Sequence, residues 1–199
     1  MASHCYQALA LGVGGSASAR ISVCRPLVVE QVAALGSHLR WHGALTFDYL
    51  WDDATGCPSY IDSNPRIGET LNATLSGVNL CAALVKVAID LPVCYAAPGR
   101  EGTRTHNTLL TLLAAAEHGC SRRALLAELW QACTHQGRYA GSQDELVRPH
   151  EDILSLLPAT WLASQVLLNP RSAERFVNST VSNYALTEDA ARLIRQLRE

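Results

Sequence analysis

Two strand-forming segments joined by a short turn constrain the fold of this chain more than any other feature of its sequence. Gly43–Trp51 (GALTFDYLW) is rich in β-forming residues, and Pro58–Ser63 (PSYIDS) is extended again. Between them, Asp52–Gly56 (DDATG) has the residues that tight turns prefer. We therefore predict a β-hairpin whose loop is centred near Thr55.

Pairing about that centre brings polar side chains together across the hairpin. It puts Asp48 opposite Asp62 and Thr46 opposite Asn64, and alternation along the strand puts Asp62 and Asn64 on one face. A slip of one residue would break this arrangement. Two carboxylates directly across a ladder repel each other, so a fold that keeps them together usually holds a cation or a shared proton between them.

The residue types favour a hard cation. Two carboxylates and a carboxamide suit Mg²⁺ or Mn²⁺, with water and phosphate oxygens completing the coordination, and they do not suit zinc. Arg66 follows two residues after Asn64, where we expect a helix to begin. Its guanidinium and the free N–H groups of the helix start would form an anion clamp. The alternative is that Asp48, Asp62 and Asn64 form an ordinary solvated face of the hairpin.

The same block resembles the ATP-grasp superfamily, which includes biotin carboxylase, carbamoyl phosphate synthetase and D-alanine–D-alanine ligase. In that family a Gly-x-x-x-x-acid strand is followed by an acid-x-Asn-x-Arg strand end, matched here by Gly43–Leu50 and Tyr60–Ile67. The resemblance implies that Asp48, Asp62 and Asn64 hold Mg²⁺ or Mn²⁺ on the phosphates of ATP. It also implies that Arg66 is catalytic and contacts an acyl-phosphate or the reacting substrate.

The implied activity is the ATP-dependent ligation of a small carboxylate to an amine or similar nucleophile through an acyl-phosphate. Two departures from the family pattern qualify it. The acid before the Asn is usually Glu but here is Asp62, and the family's first ATP-binding lobe, with its phosphate-holding lysines, has no counterpart. The sole lysine, Lys86, lies in a helix after the motif. We expect an incomplete ligase with another chain supplying the lobe or, alternatively, a non-catalytic truncated module that keeps the fold and pairs with another chain.

The implied fold class is α+β: the C-terminal lobe of an ATP-grasp fold, an antiparallel sheet with packed helices, followed by a helical region. We predict a partial ATP-grasp domain over residues 1–97, a linker over 98–105 where Pro and Gly cluster, and a helical region over 106–199. The elements expected from residue patterns are strands at Tyr6–Val13 and Ile21–Val23, and helices at 27–40, from Arg66 to Ile89, at His106–His118, at 122–134, at Ile153–Leu168 with an interruption at Pro158, and from Thr187 onward.

Other polar residues are weaker candidates. The loop Gly14–Ser18 resembles a substrate- or phosphate-proximal loop of carbamoyl phosphate synthetase-like members, and it is equally an ordinary flexible loop. Glu69 and Asn72 either face substrate or form the first turns of a helix. Arg104, at the end of the predicted linker, and His106 and Asp152, in the predicted helical region, are further polar candidates, and nothing in their spacing assigns a role.

Composition excludes several classes of protein. The formal net charge is −2 and no Lys/Arg-rich block is present, which argues against nucleic-acid binding by a broad basic face. No apolar run reaches the ~18 residues of a membrane helix. The 7 cysteines are scattered without a CxxC pair. We therefore expect a cytoplasmic protein with reduced cysteines, and a single reactive cysteine remains open.

Overall fold

The strands form two separate sheets, and the expected hairpin is one of them. The computed structural model describes residues 1–13, 16–93, 99–146 and 152–184, with side chains as far as residue 178. Within these ranges the strands, in chain order, are β1 (Tyr6–Leu11), β2 (Ala17–Ser22), β3 (Thr46–Asp52), β4 (Cys57–Asn64), β5 (Arg104–His106) and β6 (Ser142–Asp144).

The larger sheet is mixed rather than antiparallel. Its four strands lie in the order β1-β2-β5-β6, β2 pairs with β5 antiparallel, and β5 pairs with β6 parallel. The expectation of a purely antiparallel sheet is therefore correct for β3 and β4, which form an antiparallel pair of their own, and wrong for this sheet. A parallel pair needs a long crossover, and two helices lie between β5 and β6.

Helices make up most of the rest of the described chain. In order they are α1 (Pro26–His38), α2 (Leu71–Ser76), α3 (Leu80–Ala88), α4 (Thr108–Glu117), α5 (Arg122–Cys133), α6 (Leu156–Leu168) and α7 (Ser172–Tyr184). Short 3-10 turns occupy Gly137–Tyr139 and Ile153–Ser155. The coarse fold class is thus confirmed as mixed helix and sheet, whereas the ATP-grasp assignment stays a prediction.

Two helices differ from the ones expected from the sequence. The helix expected from Arg66 to Ile89 is two helices, because Gly77 takes a left-handed conformation (φ 105°) that closes α2. Pro158 does not interrupt α6, because it lies in the first turn, where a backbone N–H has no partner within the helix. Ser121 caps α5, since its side chain accepts a hydrogen bond from the backbone N–H of Ala124.

The structure forms two compact units. One comprises Met1–Leu9, Ala19–His106 and Gly141–Glu145, and the other comprises Ala10–Ser18, Asn107–Ala140 and Leu146–Glu199. We call these unit 1 and unit 2. The core of unit 2 is apolar, with α4, α5, α6 and α7 contributing buried residues: Leu112, Leu113, Ala116, Leu125, Val166 and Ala173.

Unit 1 has a much more polar interior. Asn72, Thr105 and His106 are all 0% exposed, and Arg20 is 5% exposed. Buried polar groups are costly unless hydrogen-bonded, so they need a network to hold them. None of the helices in the described ranges has the length and apolar character that a membrane span requires.

Several predictions fall at the edges of what is described. Gly14 and Gly15 of the predicted loop, residue 98 of the predicted linker and the helix expected from Thr187 lie outside the described residues. Arg104 and Thr105, the end of that linker, belong to β5. The predicted helical region also contains β6 and α7, and the residue patterns predicted neither of these elements.

Candidate functional site

The register of the hairpin is the one expected from the sequence. Asp48 lies directly opposite Asp62, and Thr46 lies opposite Asn64. The side chains of Asp48 and Asp62 belong to exposed residues, and Asn64 is half-buried. The hairpin therefore presents two carboxylates and an amide on an accessible part of the ladder.

A β-bulge one residue beyond the acid pair separates two chemically different faces. The register shifts after Asp48, so that Tyr49 pairs with Tyr60 and Ile61 becomes the extra residue. Without this shift, strict alternation would put Tyr60 on the face of Asp62. Instead the ring of Tyr60 lies 5.6 Å from that of Phe47 and 6.0 Å from that of Tyr49.

The face of the hairpin that carries Phe47, Tyr49 and Tyr60 packs on α1. The face that carries Asp48 and Asp62 is turned away from α1. The Tyr60 hydroxyl donates a 2.9 Å hydrogen bond to Gln31 Oε1 on α1. Phe47 and Tyr60 also line a cavity of about 40 Å³ together with Gln31, Val32 and Leu35. The bulge thus lets the hairpin pack aromatic rings together on one side and keep Asp48 and Asp62 accessible on the other.

Local hydrogen bonds orient the candidate ligands. Asp62 Oδ1 accepts the backbone N–H of Ser63 at 2.8 Å, and Asp62 Oδ2 accepts Asn64 Nδ2 at 2.9 Å. With its amide nitrogen used in this way, Asn64 has its carbonyl oxygen left to offer a cation. Thr46 Oγ1 donates to the backbone carbonyl of Arg66 at 2.8 Å, which ties the exit of the hairpin to β3.

This donor set fits a hard divalent cation. Carboxylate and amide oxygens are the ligands of Mg²⁺ and Mn²⁺, which keep several water or phosphate ligands in addition. Among the described residues, no group of three or more His, Cys, Asp or Glu side chains is arranged to hold a metal ion. The hairpin offers two acids and Asn64 as the third protein ligand, so most of an octahedral shell would come from elsewhere.

The expected anion clamp at a helix start is wrong in one respect. α2 begins at Leu71, five residues after Arg66, so Arg66 is not part of a helix start. The N–H groups of Leu71 and Asn72 are already bound by the two carboxylate oxygens of Glu69. Arg66, which is exposed, remains the candidate for contact with an anion.

Glu69 belongs to a buried ion network in unit 1. Arg20 Nη1 lies 2.5 Å from Glu145 Oε1 and 3.7 Å from Glu69 Oε2, and its guanidinium lies 5.1 Å from the centre of the Tyr6 ring. Burial raises the pKa of Glu145, and the neighbouring Arg20 opposes that shift. Arg20 is thus shared between two carboxylates in a dry environment.

Tyr6 connects this network electrostatically to the hairpin. Its pKa is raised, chiefly by burial. The charge of Arg20 opposes the shift, and the charges of Asp48, Glu69 and Glu145 reinforce it. Tyr6, Arg20 and Glu145 are residues that sequence reasoning missed. A Tyr in a strand or an Arg in a Ser/Ala-rich segment carries no local signal of such a role.

The other candidates in unit 1 have structural partners. Asn72 donates to the backbone carbonyl of Thr103 at 3.0 Å and to Thr105 Oγ1 at 3.1 Å, and its Oδ1 lies 2.9 Å from His4 Nε2. Burial lowers the pKa of His4, with the hydrogen bond to Asn72 opposing it. His106 Nδ1 lies 2.8 Å from Ser142 Oγ, in a fully buried position.

The remaining candidates are exposed. Arg104 and Lys86 are exposed, and Asp152 accepts the N–H groups of Leu154 and Ser155 as a helix-start cap. Of the described cysteines, Cys5 has a pKa raised by burial, which disfavours the reactive thiolate.

Comparison with known proteins finds no match to this chain among protein-family models, curated proteins or solved structures.

Proposed function

We propose that this chain carries the Mg²⁺–ATP hairpin of an ATP-grasp ligase, which joins a small carboxylate to an amine or similar nucleophile through an acyl-phosphate. One observation supports the proposal above others. Asp48 and Asp62 are held directly opposite each other on an accessible face, with Asn64 bonded to Asp62. Like charges opposed in this way destabilise an empty ladder, and a bound cation relieves that cost.

Each residue has a role in the proposal. Asp48, Asp62 and Asn64 bind Mg²⁺ or Mn²⁺, and the hydrogen bonds of Ser63 and Asn64 to Asp62 fix its orientation. When bound, the cation neutralises charge on the phosphates during phosphoryl transfer. Arg66 lies at the exit of the hairpin and stabilises the negative charge that develops on the acyl-phosphate.

The balance of charge around the hairpin supports a cationic ligand. Two ion pairs join the buried Arg20 to Glu69 and Glu145, and the guanidinium of Arg25 lies over the ring of Trp51 on β3 at 4.2 Å. Arg20 is already shared by Glu69 and Glu145. The charge of Asp48 and Asp62 is therefore uncompensated by Arg20, and a divalent ion would balance it.

Calorimetric titration of ATP into the protein tests the proposal. We expect heat of binding in the presence of Mg²⁺, none when Mg²⁺ is chelated, and none for Asp48→Ala. Asp53→Ala is the matched control, because Asp53 lies in the turn of the same hairpin and faces no acid across the ladder. Binding that is absent from the wild type, or that is equal in Asp48→Ala and the wild type, would refute the assignment.

A further inference from the structure

We propose that an exposed apolar face of α6 is the docking surface for residues 187–199 of the same chain, which pack on it as an amphipathic helix. The surface belongs to unit 2, and the inference does not depend on the proposed function. Residues 187–199 lie outside the described residues, so their sequence and their place in the chain identify them as the occupant. We call the surface the α6 face, and it comprises Leu157, Trp161, Ser164 and Leu168.

α6 is apolar on opposite sides, and the described chain covers one of them. The helix has 13 residues (LLPATWLASQVLL), and none of them is charged. Its inner side packs into the core of unit 2, where Val166 is fully buried and Leu162 lies against the core cluster. On the α6 face, Leu157, Trp161 and Leu168 are 65%, 57% and 69% exposed. A helix that is apolar all round is ordinarily buried on every side, so we expect another apolar surface to cover the α6 face.

The spacing of the α6 face favours a helix as the occupant. Its four positions are separated by four, three and four residues, which places them along one side of α6. Alternating steps of three and four residues are the pattern by which two helices pack their apolar stripes side by side. With no charged residue on α6, a highly charged peptide would find no partner for its charges there. An amphipathic helix therefore fits this surface.

Residues 187–199 (TEDAARLIRQLRE) have the sequence of such a helix. Thr187 is a suitable cap for its first turn. The apolar residues share one side at helical spacing: Ala190, Leu193, Ile194 and Leu197. The opposite side carries two pairs of opposite charge, each four residues apart: Glu188 with Arg192, and Arg195 with Glu199. A helix this short is marginal in water by itself, so burial of its apolar side is what would stabilise it.

The path of the chain leads this segment to α6. Only residues 169–171 join α6 to α7, and helices joined by so short a loop run antiparallel. The ring of Trp161 lies 5.7 Å from that of Phe176, which shows that α7 runs back along α6. α7 ends at Tyr184, so a helix that begins a few residues later turns back again and starts beside the first turns of α6. At 1.5 Å per residue, the segment and α6 are each about 20 Å long, and one covers the other.

Hydrogen exchange of the intact protein tests the docking. We expect the amides of residues 190–199 to exchange at least about tenfold more slowly than those of an unstructured chain. Leu157→Asp should remove this protection and lower Tm by about 3 °C or more, because a carboxylate on the α6 face would be buried without a partner. Val85→Asp is the matched control, since Val85 is 59% exposed on α3 of unit 1, and it should change neither quantity.

Leu193→Asp is the second variant, and it places the charge on the segment itself. It should cause the same losses, and it keeps the test decisive if Leu157→Asp does not fold. The double variant should lose little more than either single variant, because one charge already prevents docking. Unprotected amides at residues 190–199 of the wild type, or protection that survives Leu157→Asp or Leu193→Asp, would overturn the inference.

Light scattering across a roughly hundredfold range of protein concentration distinguishes the other occupants. Docking within one chain predicts a mass and a protection of residues 190–199 that are both independent of concentration. A second copy on the α6 face would make the mass rise with concentration in the wild type and not in Leu157→Asp, and this result would overturn the inference. If a different protein covers the α6 face, residues 190–199 of the purified chain should be unprotected, which would overturn it as well.

Discussion

Replacing Asp48 with Asn should stabilise the metal-free protein and destabilise the metal-loaded one. The substitution keeps the size of the side chain and removes one of the two charges that face each other across the hairpin. Directly opposed residues have Cβ atoms about 4.5–5.5 Å apart, which puts the two carboxylates on the order of 5–6 Å apart. The charge of Asp48 therefore favours metal binding, and it disfavours folding of the metal-free protein.

The repulsion between Asp48 and Asp62 is small because both are exposed. At the dielectric constant of water it amounts to about 0.7 kcal/mol. Screening at physiological ionic strength roughly halves this, to about 0.4 kcal/mol. For a chain of this size, that gain corresponds to a rise of about 1 °C in Tm. The rise should be larger at low salt, where the screening is weaker.

Bound metal should make the wild type more stable than Asp48→Asn, which is the reverse of the order expected without metal. A site with Mn²⁺ at a hundred times its Kd gains about 2.7 kcal/mol, which corresponds to about 5–10 °C in Tm. Asp48→Asn loses a charged ligand and should gain much less. Thermal unfolding with and without Mn²⁺, at two salt concentrations, measures both effects, with Asp53→Asn as the control. A lower Tm of Asp48→Asn without metal, or equal Mn²⁺ shifts in both proteins, would refute the reasoning.

The remaining predictions concern stability. Burial lowers the pKa of His4, so the folded state binds fewer protons than the unfolded state below about pH 6.5, and the free energy of unfolding should fall as the pH drops through that region. His4→Gln should flatten this dependence in melts between about pH 5 and 7.5, and an unchanged slope would show that His4 is not its source. Leu125→Ala, at a fully buried position of unit 2, should cost about 2–5 kcal/mol in urea unfolding, whereas Leu126→Ala, 54% exposed, should cost far less; similar costs would contradict the described core. Gly77→Ala should destabilise by about 1 kcal/mol because of its φ of 105°, although no atom lies within 4 Å of the added Cβ, and a neutral result would argue against that conformation.

The hairpin could be predicted from sequence because the signals that form it are local. A turn-rich segment between two β-forming runs fixes the pairing near Asp48 and Asp62, and that register was found. The bulge at Ile61 could not be predicted in the same way. The bulge forms because the ring of Tyr60 packs with the rings of Phe47 and Tyr49 on the side of α1, where strict alternation would not place it. Such tertiary packing is not visible in the local sequence.

The interior of unit 1 contains further contacts that could not be predicted from the sequence. Arg20 and Glu145 are 125 residues apart in sequence, and nothing local to either residue indicates that they pair. Glu69 looked like a substrate-facing or first-turn acid, but α2 starts at Leu71, which makes Glu69 the acceptor for the first N–H groups of that helix. β6 has only three residues, too few for any periodicity to show.

Electron paramagnetic resonance of Mn²⁺ tests most directly whether Asp48, Asp62 and Asn64 together hold a cation on a nucleotide. Titrating Mn²⁺ into the protein and following the signal of the free ion gives the number of sites and their affinity, with and without ATP. We expect one site that tightens when ATP is present, weakens in Asp48→Asn, Asp62→Asn and Asn64→Ala, and persists in Asp53→Asn. Mn²⁺ binding that is absent, or that is the same in all four variants and the wild type, would contradict it.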